Sequence, residues 1–203
     1  MYVRTLKGER CNKRQKNRSL IIKIKQTTMA TYKIDAAHSE IGFKIRHLVI
    51  STVSGNFSKF DATMETAKPD FADAKITFEA DVHSVSTNSE QRDGHLKSDD
   101  FFHAEQYPKI TFSSTSIEKK EDNEYILHGD LTIRGITKNV ALKVEHGGSA
   151  IDPWGQSKEG FELTGKISRK EFGLTWNALT EAGGAVVSDD VRLIMNVQMI
   201  KQA

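Results

Sequence analysis

TNSEQRDGHLKSDDFFHAEQYPKITF, residues 87–112, interrupts a long series of predicted strands. The segment before it, KITFEADVHSV at residues 75–85, alternates apolar and polar residues, which is typical of a strand buried on one face. Within the interruption, Asn88 and Ser98 are each followed by the acidic or amide residues that accompany a helix N-cap. We therefore predict two short helices, forming a crossover over about residues 88–107, in an otherwise all-β chain.

Three aromatic residues, Phe101, Phe102 and Tyr107, lie close together in the second half of this crossover. Pro108 follows them and cannot continue a helix, so the second helix is expected to end there. Large apolar side chains are stabilised by burial, and these three lie between two strands. The crossover is therefore predicted to cover one end or one side of the β-structure.

The rest of the chain from Met29 onward is predicted to form strands and turns. About eight or nine strands with a single helical interruption, no internal repeat and no linker favour one meandering antiparallel barrel or sandwich. The predicted strands cover about residues 32–47, 57–64, 75–85, 109–117, 125–133, 140–144, 161–167 and 191–199. Turns are predicted at residues 54–56, 119–123 and 134–135, and a loop is predicted whose boundaries are residues 146–148 and 152–155.

The first 28 residues differ in composition from everything that follows. They hold nine Lys or Arg against one Glu, which leaves 20 basic and 26 acidic residues in 29–203. An acidic body disfavours a nucleic-acid surface there. The basic segment is either an arm for anionic lipid or nucleic acid, or a disordered extension before a biological start at Met29; its lack of periodicity favours disorder.

Cysteine usage and hydropathy bear on the cellular compartment. Cys11 is the only cysteine and lies in the basic extension, so a disulfide within one chain is excluded. The apolar run at 20–22 is much shorter than the roughly 7–15 residues of a signal-peptide core. No apolar run approaches the roughly 20 residues of a membrane helix. A cytoplasmic protein without a membrane span is expected.

Strand alternation also predicts which side chains face inward. A barrel of about eight strands can be filled by its own side chains or can hold one small ligand. Gly129, Gly165 and Ala80 belong to the inward set, so either they leave room for an apolar guest or the glycines mark bends at barrel corners. Thr132 and Arg134 are expected to point outward. The inward set is Phe43, Ile76, Phe78, Ile110, Phe112, Leu131, Ile133 and Leu163.

A series of motifs runs in order along about residues 31–200. They are Tyr32-x-Ile34-Asp35-x-x-His38-Ser39-x-Ile41-x-Phe43, Gly55-x-Phe57, Arg92-Asp93-x-His95-Leu96-x-Ser98-x-Asp100-Phe101-Phe102, Tyr107-Pro108-x-Ile110-x-Phe112, Gly129-Asp130-Leu131-Thr132-Ile133-Arg134-Gly135-Ile136-Thr137 and Arg169-x-x-Phe172-Gly173-Leu174. In these residues the chain resembles the YceI-like family of polyisoprenoid-binding proteins. So many motifs in order are more specific than any single short pattern.

The resemblance implies a lipocalin-like antiparallel barrel of about eight strands, formed by residues 29–203, with a long apolar pocket. It implies binding of an amphiphilic lipid such as a polyisoprenoid, an isoprenoid quinone or a fatty-acyl derivative, no cofactor beyond that lipid, and association as a homodimer. Many members are periplasmic and carry a signal peptide, whereas none is expected here. The predicted lipid-binding residues are Phe43, Phe57, Ile76, Phe78, Phe102, Ile110, Phe112, Leu131, Ile133, Leu163 and Trp176.

Enzymatic sites are disfavoured by spacing. His83, His95 and His103 are separated by twelve and eight residues, whereas zinc sites commonly use much closer pairs of ligands, so no metal is expected. Asp35, His38 and Ser39 contain the residue types of a nucleophilic triad, but triads are defined by geometry and no nucleophile elbow accompanies them. We expect no catalytic residues and no enzyme.

Several charged and aromatic residues have two interpretations. The pairs Arg92-Asp93 and Asp99-Asp100 could recognise a lipid head group, although such charges more often cap helices or pair with each other. Trp154 is expected to cover a loop, and Trp176 to lie on a strand or at the rim of the pocket.

Three functions from different classes remain open. The first is a carrier or store for a lipid. The second is a small hydrolase or isomerase acting on a lipid-like substrate in the same pocket. The third is a barrel filled by its own side chains that binds no ligand. Chemical identification of whatever copurifies with the protein separates the first from the third.

The basic extension yields one prediction. A chain shortened to begin at Met29 should melt at the same temperature as the full chain, because residues 1–28 have no apolar periodicity with which to pack. Thermal unfolding of both chains measures this. A loss of several degrees on truncation would show that the extension packs against the barrel.

Overall fold

The computed structural model describes residues 29–178 and 186–203, so the predicted disorder of residues 1–28 lies outside it. Within these ranges the chain forms eleven strands, one α-helix and three short 3-10 turns. None of the described helices is long and apolar enough to cross a membrane. The elements are β1 (Ala30–Ile34), β2 (Glu40–His47), β3 (Ser51–Phe57), β4 (Phe60–Thr66), β5 (Lys75–Asp81), β6 (Val85–Ser86), α1 (Glu90–Lys97), β7 (Lys109–Glu121), β8 (Glu124–Ile133), β9 (Ile136–Ile151), β10 (Ser157–Ser168) and β11 (Val187–Lys201).

The strands close into a single antiparallel barrel. β11 pairs with β10 along one side, and on its other side with β2 and then β1. β3 pairs with β2, and β4 pairs with β1. On the far side of these strands, β6 pairs with β3 and β5 pairs with β4. The consecutive strands β1 and β2 thus form one bent strand, as do β3 and β4, and β5 and β6. Together with β7 to β11 they give eight strands around the ring. The predicted all-β, lipocalin-like antiparallel barrel is confirmed.

Two of the bends are fixed by aspartate side chains. Asp35 ends β1 and accepts a hydrogen bond from the backbone N–H of Ala37, at 3.2 Å. Asp81 ends β5 and accepts one from the N–H of His83, at 2.8 Å. In both places a carboxylate satisfies a donor at the start of a 3-10 turn, so the chain can change direction without leaving that group unpaired.

The helical crossover differs from the prediction. One helix, α1, is present; its N-cap is Ser89 and not Asn88, which lies in the left-handed region at φ 61°. Ser98 is the C-cap of α1, because its backbone N–H and its hydroxyl both donate to the carbonyl of His95. The predicted second helix is wrong, since residues 98–107 form successive turns stabilised by local backbone hydrogen bonds.

One predicted turn and one predicted loop boundary are also wrong. Residues 54–56 lie inside β3, and the reversal occurs at residues 48–50. Residues 146–148 lie inside β9, where Gly147 is one extra residue opposite the step from Gly160 to Phe161 in β10. The hairpin connection predicted at 119–123 is present, but its turn is confined to residues 122–123 because β7 extends to Glu121. The turn predicted at 134–135 and the loop boundary predicted at 152–155 are confirmed.

A group of three charges ties together elements that are distant in sequence. The Lys158 ammonium lies 2.9 Å from the carboxylate of Asp35 and 3.5 Å from that of Asp152. All three side chains are largely buried. The hydrogen bond from Lys158 holds the pKa of the Asp35 carboxyl below its ordinary value, and the bond from His38 adds to this, while burial opposes it.

The lowered pKa of Asp35 makes its contribution to stability dependent on pH. A carboxyl that is more acidic in the folded state stabilises it above the unfolded-state pKa of about 3.9, and this contribution is lost as the pH falls through the folded-state pKa. Asp35→Asn should therefore lower the melting temperature at neutral pH, and the difference from wild type should shrink below about pH 4.

Thermal unfolding at a series of pH values measures this effect. Asp61→Asn is the matched control, because Asp61 forms an exposed ion pair with Lys33 at 3.7 Å and exposed pairs contribute little. A gap between Asp35→Asn and wild type that stays constant down to about pH 2 would contradict the assignment.

Candidate functional site

The inner face of the barrel encloses one elongated cavity of about 400 Å³. Its wall is formed by the inward side chains of every full strand, so it is almost entirely aliphatic and aromatic. This volume lies within the range of about 300–1,000 Å³ that is usual for sites holding small molecules. The barrel thus has an interior that its own side chains do not fill.

All eleven residues predicted to bind lipid lie on this wall. Five of them are buried: Phe57, Phe112, Ile110, Leu131 and Ile133. The other six, which are Phe43, Ile76, Phe78, Phe102, Leu163 and Trp176, are partly buried and pack against the same core. Strand alternation therefore locates the wall correctly, and contact of these residues with a lipid stays a prediction.

The inward glycines do not create the cavity in the way that the sequence suggests. A Cβ atom on Gly129 would lie 2.2 Å from the ring of Phe112, and one on Gly165 would lie 2.5 Å from Leu142. Each glycine therefore lets a larger side chain of the neighbouring strand lie across it. The expectation that they leave space for a guest is wrong, and they instead set the direction of wall side chains.

One end of the cavity is closed by Phe71, which the sequence analysis did not single out. Phe71 is only 5% exposed and its ring meets those of Tyr32 and Phe161 edge to face, with centroids 6.1 and 5.4 Å apart. The surrounding loop is held inward by Asp73, whose carboxylate accepts hydrogen bonds from Thr66 and from two backbone N–H groups. A lone aromatic residue in a polar loop was the only sequence signal.

The other end of the cavity, which we call the mouth, is covered by the crossover. Phe101 is buried there, and its ring packs against Trp176 at 5.4 Å. His95 contacts both rings edge to face, with its centroid 4.7 Å from that of Trp176. The prediction that the crossover aromatics cover one end holds for Phe101 and Phe102, whereas Tyr107 lies against Gly135 on the β8–β9 turn.

A hydrogen-bonded group fixes α1 to the barrel at the mouth. Thr87 is buried, and its backbone N–H and its hydroxyl both donate to Asp93. Arg92 donates from Nε to the Thr87 hydroxyl and from Nη2 to the Thr87 carbonyl, each at 2.7 Å. Asp100 pairs with His95 at 2.8 Å. These contacts favour the structural interpretation of both charged pairs, although Arg92 and His95 also lie on the wall.

Two arginines, Arg169 buried and Arg134 partly buried, hold the remaining segments of the mouth. Arg169 is 3% exposed and donates to the backbone carbonyls of Leu174, Trp176 and Ser188, thereby fixing Trp176 beside β11. Burial lowers the pKa of its guanidinium, and attraction from Asp189 opposes this shift. Arg134 donates to the carbonyls of Phe101 and Gly173, so its predicted outward direction is wrong.

The residues considered for catalysis or metal binding are not assembled into either kind of site. His38 pairs with Asp35 at 2.9 Å, but the Ser39 hydroxyl bonds to the backbone of Gln198 and not to His38. Within residues 29–178 and 186–203, no three His, Cys, Asp or Glu side chains are grouped to hold a metal ion. Trp154 is 83% exposed, so the expectation that it covers a loop is wrong.

Comparison with known proteins agrees with this geometry. The YceI-like domain model matches residues 32–199. Protein YceI of Escherichia coli O157:H7 is 39% identical over 186 residues, covering 91% of this chain and 94% of the relative. The crystal structure of a Campylobacter jejuni YCEI protein is 37% identical with a TM-score of 0.67, covering 83% of this chain and 96% of that one. A polyisoprenoid binding domain from Saccharophagus degradans has the same fold at 16% identity, with a TM-score of 0.59, covering 84% and 98% of the two chains.

The close approach of Phe112 to Gly129 generates a prediction. Gly129→Ala should displace the Phe112 ring and destabilise the barrel by roughly 1–3 kcal/mol, because a methyl group would overlap a packed side chain. Gly160→Ala is the control, since the nearest atom to a Cβ there is a carbonyl oxygen at 3.8 Å. Chemical denaturation of both variants measures the difference, and equal stabilities would contradict the assigned packing.

Proposed function

We propose that this chain, which belongs to the YceI-like domain family, binds an amphiphilic lipid with its apolar chain inside the barrel. The observation that carries the proposal is the continuous apolar wall around a cavity of about 400 Å³. Burial of an alkyl or prenyl chain contributes roughly 0.8 kcal/mol per CH2 group, so several prenyl units can be held without any reacting group.

The ends of the cavity give the lipid a direction. The end at Phe71 is lined by buried apolar side chains, whereas Thr87, Arg92 and His95 lie on the wall at the mouth. A polar head group loses its hydrogen bonds with water if it is buried among apolar side chains, and this is costly. The tail therefore lies toward Phe71, and the head group lies at the mouth.

The class of lipid is a polyisoprenoid, an isoprenoid quinone or a fatty-acyl derivative. The first is supported by the Saccharophagus degradans domain of the same fold, which carries polyisoprenoid binding in its name. An aliphatic and aromatic wall accepts any of the three tails, since burial of apolar surface is not directional. A homodimer and a cytoplasmic location stay predictions.

A hydrolase or isomerase acting in the same cavity is the less favoured alternative. It would need a nucleophile or an acid–base pair facing the ligand. Several polar side chains on the described part of the wall already form hydrogen bonds with other protein groups, as Thr87 does with Asp93 and Arg169 does with backbone carbonyls. We therefore propose binding without catalysis.

The two tryptophans of this sequence permit a direct test of ligand entry. Trp176 lies on the cavity wall near the mouth and Trp154 is exposed on the β9–β10 turn at the opposite end. Trp154→Phe leaves Trp176 as the single reporter, and Trp176→Phe leaves Trp154. A brominated fatty acid should quench the fluorescence of Trp154→Phe saturably at one equivalent per chain, and should leave that of Trp176→Phe nearly unchanged.

The position of the bromine tests the proposed direction. Bromine near the carboxyl end should quench Trp176 more strongly than bromine near the methyl end, because the head group lies at the mouth. Equal, non-saturating quenching of both single-tryptophan variants would refute binding in the cavity. The reverse order of quenching efficiency would refute the direction but keep the binding.

A further inference from the structure

The turn between β2 and β3 presents apolar side chains to solvent. Leu48, Val49 and Ile50 are 39%, 78% and 84% exposed. Leu48 and Val49 both have left-handed backbones, with φ of 51° and 65°, a conformation that Asn, Asp or Gly adopts readily and a β-branched residue rarely does. Neither burial nor backbone preference therefore explains these residues, which we call the apolar tip.

The apolar tip stands at the rim of the mouth. His47 and Val53, on the two strands that the tip connects, lie on the cavity wall. The backbone N–H of Leu48 donates to the carbonyl of Val186 at 2.8 Å, which ties the tip to the chain that enters β11. Anything that contacts the tip therefore lies next to the opening of the cavity.

The outer face beside the tip is basic. Lys166, Arg192 and Lys44 lie directly opposite one another on three neighbouring strands, and Arg46 follows two residues nearer the tip. Of these four cations, only Lys166 forms an ion pair with another described residue. Its ammonium lies 2.6 Å from the carboxylate of Asp190. Like charges opposite each other on a sheet are destabilising, so this row is not explained by folding.

The same face becomes acidic away from the mouth. Glu162 and Glu40 flank Asn196 in a parallel row four residues farther from the tip. At about 3.3 Å per residue, the acidic row lies roughly 13 Å from the basic one along the strands. A negatively charged surface therefore attracts the mouth end and repels the rest of this face, which orients the molecule.

We propose that the protein docks on an anionic lipid bilayer through this end, with Val49 and Ile50 inserted among the head groups and Lys44, Arg46 and Arg192 against their phosphates. Apolar side chains flanked by cations are the combination that binds such interfaces. The biological purpose of docking rests on the proposed function, because it places the mouth against the bilayer from which a lipid tail enters the cavity.

A second copy of the chain is the competing occupant of the tip. Two copies meeting at this end through a twofold axis would bring the basic rows of both chains toward each other, and like charges at an interface oppose association. An anionic bilayer instead complements the apolar tip and the cations together, which is why we commit to it.

Cosedimentation of the full chain with vesicles tests the docking. The protein should pellet with phosphatidylcholine vesicles that contain phosphatidylglycerol and remain in solution with phosphatidylcholine alone. Val49→Asp with Ile50→Asp should weaken binding by roughly tenfold or more, because two buried aliphatic groups are lost. Lys44→Gln with Arg192→Gln should weaken it by about fivefold for each cation removed.

The control for the tip is Ile151→Asp with Trp154→Asp. Ile151 ends β9 and is 77% exposed, and Trp154 on the β9–β10 turn is 83% exposed. Both lie at the end of the barrel away from the mouth, so this variant should bind like wild type. Unchanged binding of the Val49→Asp/Ile50→Asp protein would overturn the proposal and assign binding elsewhere, such as to the basic residues 1–28. Loss of binding by the control alone would overturn it as well.

Two further measurements separate docking from ligand binding and from self-association. The Val49→Asp/Ile50→Asp variant, placed in the Trp154→Phe background, should still be quenched by a dispersed brominated fatty acid, since the cavity wall is unchanged. If neither the Trp154→Phe protein nor the tip variant in that background is quenched, the result counts against the proposed function and not against docking. Sedimentation velocity that shows a dimer dissociated by the tip variant, with no vesicle binding by wild type, would overturn the proposal.

Discussion

Ring closure by β11 is the constraint on which the rest of the structure depends. This strand pairs with β10 from Asp190 to Ile200, with β2 over its first two thirds and with β1 at its end. Closure joins the strands into one ring and gives them a common inner face. Because alternate residues of every strand must then point into one enclosed space, the apolar pattern of the sequence becomes the wall of a cavity.

Partly or fully buried polar groups determine the two ends of that cavity. At the end closed by Phe71, Asp73 accepts hydrogen bonds from its loop, and at the mouth Asp93 accepts them from Thr87 beside α1. Arg169 instead donates to the backbone carbonyls of the segment that carries Trp176. A buried polar group is costly unless it is paired, so each of these side chains both needs and fixes its partners. The polar residues therefore hold loops in place, and the apolar residues are left to face the interior.

How far the sequence predicts the molecule depends on the range of the interactions involved. Alternation has a period of two and is local, so Leu131, Ile133 and their neighbours were assigned to the wall correctly. Gly55 was assigned to a turn, yet it lies inside β3. Glycine is needed there because a Cβ would lie 2.4 Å from the ring of Phe43 on the neighbouring strand. Phe71 and Arg134 were missed or misplaced because their partners are distant in sequence.

The central claim is that the cavity holds a lipid in the native protein. The most direct measurement is the mass of the purified wild-type chain under non-denaturing conditions, compared with its mass after denaturation. The account predicts one noncovalent adduct per chain, with the mass of a lipid, that is lost on denaturation and is recovered by extraction into organic solvent. A native mass equal to that of the chain or its oligomer alone, with no lipid in the extract, would contradict it.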